Sequence, residues 1–125
     1  MIYNNEQHEQ HFRKAVLRKG KTYSRRFLAA VYLLTSQKEL QDRSHYAISD
    51  GTISFEQIPR KNLRLPSLLI LIAAQDLYEQ RKRIHLTEIS DQFLISDREF
   101  MLFIEAAMIA REGYKWIRKP DERTQ

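Results

Sequence analysis

Eight consecutive residues, Phe27-Leu28-Ala29-Ala30-Val31-Tyr32-Leu33-Leu34, carry no charge and almost nothing polar. At the helical repeat such a run is apolar nearly all round, and a helix of that kind is buried on more than one side. The run from Leu68 to Ala74 has the same character. A third helical pattern carries Phe100, Met101, Phe103, Ile104, Ala107, Met108 and Ile109. Three such helices fit a bundle closed around them, and equally a bundle that buries part of that surface in an oligomer.

The remaining composition agrees with helices. Only three Gly and three Pro occur in 125 residues, with 42% apolar and 30% charged side chains. That length fits one domain and can bury a core without metal or disulfide staples. The fold expected is all-α or mainly α: a compact bundle of four to six helices over residues 1–117, with a polar tail at 118–125.

Local signals place the helices. Asn4 or Asn5 is the N-cap of the first, which runs to Lys19 before Gly20. Ser24 caps the second, which runs to about Ser36. Lys38 to His45 suits a short polar helix. Asp50-Gly51 between Ala47-Ile48 and Ile53/Phe55 signals a turn, so a loop or minimal hairpin is expected near 47–55. Pro66 fits the first turn of the next helix, drawn to about Arg83. Thr87 caps a short helix with Ile89 and Phe93 four apart, and Ser96 with Glu99 forms a capping box for the last long helix, stopped at Gly113. Tyr114, Trp116 and Ile117 are expected to fold back onto the core.

Cysteine is absent, which excludes disulfides, thiol catalysis and every Cys-containing metal site, and suits a reducing cytoplasm. The Met1–Glu6 segment has no secretory pattern, and no apolar run approaches the roughly 20 residues of a membrane span. Charge is lopsided: residues 1–64 hold 12 Lys/Arg against 6 Asp/Glu, and between Glu9 and Glu39 eight cations occur with no acid. Such asymmetry fits a surface that faces a polyanion.

Residues 87–100 have the outline of a helix-turn-helix, but the second helix offers Phe100, Met101, Leu102, Phe103 and Ile104, where base readout needs polar side chains. It reads as core. Lys14, Arg18 and Lys19, like Arg81-Lys82-Arg83, fall at helix ends, where cations complement the dipole. Arg25-Arg26 and Arg60-Lys61-Arg64 lie instead at helix starts, where the dipole favours acids. Those five are the candidate residues for an anion or nucleic acid. His8 and His11 are three apart, but His8 shares the apolar stripe with Phe12 and reads as a core-edge histidine; no metal or cofactor is expected. No G-x-S-x-G elbow, HExxH or Gly-rich phosphate loop occurs, so no catalytic residue is assigned and no enzyme is expected.

The chain resembles a family of small, functionally uncharacterised bacterial proteins from Gram-positive species, some of them in mobile elements. The matching residues are His8-x-x-His11-Phe12, Phe27 to Thr35, Arg43 to His45, Asp50-Gly51-Thr52-Ile53 and Phe103 to Tyr114, within residues 3–116. Arg60 to Leu65 and Glu79 to Arg83 depart from that family's pattern. The resemblance implies no activity. Three functional readings follow, in order: a non-enzymatic binding or accessory protein acting through a protein partner or a second copy; binding of nucleic acid or another polyanion through the basic N-terminal half; and an enzyme without a recognisable motif.

Overall fold

Side-chain caps start three of the helices where the local signals lie. Asn5 Oδ1 accepts from the His8 N–H at 2.8 Å, and Ser24 Oγ from the Phe27 N–H at 3.2 Å. Ser96 Oγ accepts from the Glu99 N–H, while Glu99 Oε1 accepts from the Ser96 N–H, closing the capping box. The computed structural model describes residues 1–120. They form α1 (Glu6–Val16), α2 (Arg25–Leu34), α3 (Lys38–Ser44), α4 (Leu65–Glu79), α5 (Leu86–Ile89), α6 (Asp97–Glu112) and α7 (Tyr114–Ile117). Short 3-10 turns occupy His45–Ala47 and Phe55–Gln57. The bundle is all-helical, five longer helices and two single turns; an isolated bridge joins Ile48 to Ile53 around Gly51.

The ends of α1 and α4 fall short of Lys19 and Arg83, the first beside a long-range contact and the second beside one made a few residues further on. In a longer α1 the Val16 carbonyl would accept from Gly20, but the Tyr114 hydroxyl donates to it at 3.1 Å. The same hydroxyl accepts from the Tyr23 N–H, so one phenol ties α7 to both sides of the α1–α2 loop. At the end of α4, Asp76 Oδ2 accepts from the N–H groups of Arg83 and Ile84, both at 2.9 Å. That carboxylate folds the chain back, and Gln80 ends the helix in the left-handed region at φ 60°. Arg81 and Arg83 are therefore not last-turn cations; they pair with Glu79 and Asp76. The fourth expected helix also shifts: His85, not Thr87, is the N-cap, and α5 ends at Ile89 before Phe93.

Every side chain from Phe27 to Leu34 is buried. α2 packs mainly on α4 and α6, and α4 and α6 meet beside it. These are the three central helices expected. α2 and α4 run in opposite directions. Ser67, near the start of α4, donates to Gln37 just after α2, whereas Tyr23 and Tyr78 at the other end both reach the 50–53 turn. The segment before α1 is tied down by buried groups: Tyr32 Oη donates to the Ile2 carbonyl, and Glu105 accepts from the Ile2 N–H and Trp116 Nε1. Among the described residues no helix is long and apolar enough to cross a membrane. Residues 121–125, most of the expected polar tail, lie outside the described residues.

Candidate anion-binding groove

α1 and α3 lie on the same side of the bundle, over the end of α2, and leave a groove between them. On the α1 side it is lined by Gln7, His11 and Lys14, which recur at helical spacing, and beyond the helix end by Arg18. The α3 side presents Lys38, Gln41 and His45, again three and four apart. Thr35 lies between the two. The cleft comprises adjoining volumes of about 340 and 600 Å³ that share His11, Thr35 and Gln41. Through Arg18 it continues into a shallow depression over the α1–α2 loop, where Lys19, Lys21 and Arg118 stand.

The charges along this track are only partly matched. Asp42 is paired with Lys38 at 2.9 Å. Asp50 is held by the Tyr23 hydroxyl at 2.6 Å and Lys21 at 2.9 Å. The Tyr23 hydroxyl and then the Lys21 ammonium keep its carboxyl below the ordinary aspartate value. Lys14, Arg18 and Lys19 are exposed and have no carboxylate within ion-pair distance among the described residues. Because α1 ends at Val16, Arg18 and Lys19 lie beyond it, and dipole complementation does not account for them. The Gln41 side-chain oxygen, on the groove wall, is buried and lacks a hydrogen-bond partner.

His8 also touches the cleft but is built into the core, with 1% exposure. The Asn4 N–H donates to its Nδ1 at 2.9 Å, which leaves the proton on Nε2 for the Tyr32 carbonyl at 2.8 Å. Burial lowers its pKa to about 4, against the opposing pull of the Tyr32 carbonyl. Both ring nitrogens are thereby committed. His8 and His11 cannot share a metal in this conformation, and no group of three or more metal-ligating side chains occurs among the described residues.

The five residues singled out for wrong-signed charge at helix starts do not form one site. Arg25 donates to the Arg111 carbonyl in the last turn of α6 at 2.9 Å. Arg64 pairs with Glu39 at 3.0 Å, and Arg60 donates to Gln75 Oε1 at 2.6 Å. Arg26 and Lys61 are exposed. Arg25 lies at the start of α2, whereas Arg64 pairs with Glu39 beyond its other end, and α2 itself is about 15 Å long. The exposed cations that line the adjoining depressions without an ion pair are Lys14, Arg18 and Lys19, of which Arg18 stands near enough to Asp50 to help lower its carboxyl and Lys14 lies in the last turn of α1. The signal that could have found them was already visible as the acid-free span between Glu9 and Glu39. No family model, curated protein or solved structure matches the chain.

Proposed function

We propose that this protein is a non-catalytic nucleic-acid-binding module whose contact surface is the α1–α3 groove and its extension over the α1–α2 loop. The observation that carries the reading is the run of Lys14, Arg18 and Lys19. These exposed cations line the groove and its extension, where Asp42 and Asp50 are paired with Lys38 and Lys21 of the same surface, so that cations remain in excess there. Unpaired cations along a concave track attract a phosphate backbone and release its counterions, a mechanism that needs no sequence-reading helix. α6, the helix that a duplex reader would need, buries Leu102, Phe103, Ala106 and Ile109.

Fluorescence anisotropy with labelled oligonucleotides at low salt tests the reading. Binding is expected to weaken as salt rises. Lys14→Gln/Arg18→Gln/Lys19→Gln is expected to flatten the log–log salt slope by about two to three, since each phosphate contact contributes about 0.7–0.9. Arg60→Gln/Arg64→Gln is expected to leave the slope unchanged. Absence of binding at low salt, or equal slopes for wild type and the triple variant, overturns the reading.

A second reading, docking of a protein partner, is favoured by a different observation. Leu86 and Phe93, around α5, are 80% and 93% exposed, and Met101 and Ile104 on α6 are exposed as well. A concentration-dependent mass in sedimentation, lost in Leu86→Ser/Phe93→Ser, is the result expected if the partner is a second copy.

A further inference from the structure

Tyr46 is the most exposed tyrosine of the chain, at 85%, and is not packed on the core. Its ring stacks on His45, centroid to centroid 3.9 Å with the planes tilted by 39°. His45 itself lines the groove wall, and its Nδ1 lies 3.2 Å from the Gln41 carbonyl. The 3-10 turn that carries both rings is fixed behind: Ala47 is buried, and its carbonyl accepts from the Ser54 N–H. A flat, water-exposed phenol, backed by a ring that lines the cleft, has no role in the packing of the bundle.

We infer that the His45–Tyr46 pair is a stacking platform for an unpaired base, and that the ligand of the groove is therefore single-stranded nucleic acid. Phosphates follow Lys14, Arg18 and Lys19, and a base turned toward the 45–46 turn lies against the Tyr46 face. Bases in a duplex are already stacked on their neighbours and cannot reach that ring without unpairing. Single strands expose a π-face at every nucleotide, and a cation track beside an aromatic platform is the arrangement that holds them without reading sequence. This inference rests on the nucleic-acid reading above and specifies its ligand.

The test compares a labelled oligo(dT) of about 12 nucleotides with a duplex of the same length, at equal low salt. The single strand is expected to bind at least about tenfold more tightly. Tyr46→Ala is expected to weaken single-strand binding about 5- to 150-fold while leaving the salt slope unaltered, and Tyr46→Phe is expected to bind like wild type. In Tyr46→Trp, indole emission is expected to be quenched as oligo(dT) is added. Duplex binding as tight as single-strand binding, or Tyr46→Ala equal to wild type, overturns the platform while leaving the basic track standing. Failure of both oligonucleotides to bind overturns the two together.

Discussion

Arg25, in the first turn of α2, donates to the carbonyl of Arg111 in the last turn of α6, and its side chain packs over Gly113. The arginine thus serves the negative end of another helix instead of opposing its own start. Gly113 leaves that turn at φ +64°, and a Cβ there would meet Arg25 Cγ at 2.7 Å. Gly113→Ala is expected to cost about 1–3 kcal/mol from the positive φ, with the clash added. Arg25→Ala is expected to cost about 1 kcal/mol. The double variant is expected to lose less than the sum, because the shorter side chain removes the clash. Urea denaturation of the four proteins measures the coupling.

Acid should destabilise the protein through His8. Its folded pKa, about 4, lies below the roughly 6.5 of an unfolded histidine, so the unfolded chain takes up the proton first. The contribution is fully present above about pH 6.5 and is lost as pH falls toward 4, at up to about 1.4 kcal/mol per pH unit and about 3 kcal/mol in all. His8→Gln is expected to be less stable at pH 7.5 and to show a flatter pH dependence between 6.5 and 4. Equal slopes for the two proteins would contradict this assignment.

Asp76 is nearly buried and accepts three hydrogen bonds, two from the backbone N–H groups of Arg83 and Ile84 and one from Arg83 Nε. Asp76→Ala leaves both N–H groups without their acceptor and is expected to cost about 2–3 kcal/mol. Amide exchange should accelerate first at residues 83 and 84, before the core of α4 is affected.

Gln80 pays for its left-handed conformation without a visible return, since its side chain makes no hydrogen bond to another described residue. Gln80→Gly is expected to raise stability by about 0.5–1 kcal/mol, the αL strain relieved outweighing the added freedom of the unfolded chain. A rise in the urea midpoint at unchanged m-value is the expected observation.

Most helix starts and the stop of α6 at Gly113 were legible in the chain; the start of α5 and the ends of α1 and α4 were not. Asn5, Ser24 and Ser96 cap through side chains within three residues, so local sequence carries the whole interaction. The stop at Val16 depends on Tyr114, nearly a hundred residues away. Arg25, Arg60 and Arg64 looked misplaced because helix-dipole reasoning sees one helix at a time. Their partners Arg111, Gln75 and Glu39 come from elsewhere in the chain or further along the helix. The groove was hidden for the same reason. Lys14 and Arg18 face His45 and Gln41 only after α3 is laid beside α1, and no spacing within either segment announces that pairing.

The position of α2 at the centre of the bundle has a consequence for how the protein is made. Its eight buried residues are translated early, α4 follows, and α6 comes last. Roughly 60 to 80 residues separate the end of α2 from the helix that closes its remaining face, on the order of 3 to 16 s of elongation at about 5–20 residues per second. Until then the nascent chain displays a greasy rod with half its sheath missing.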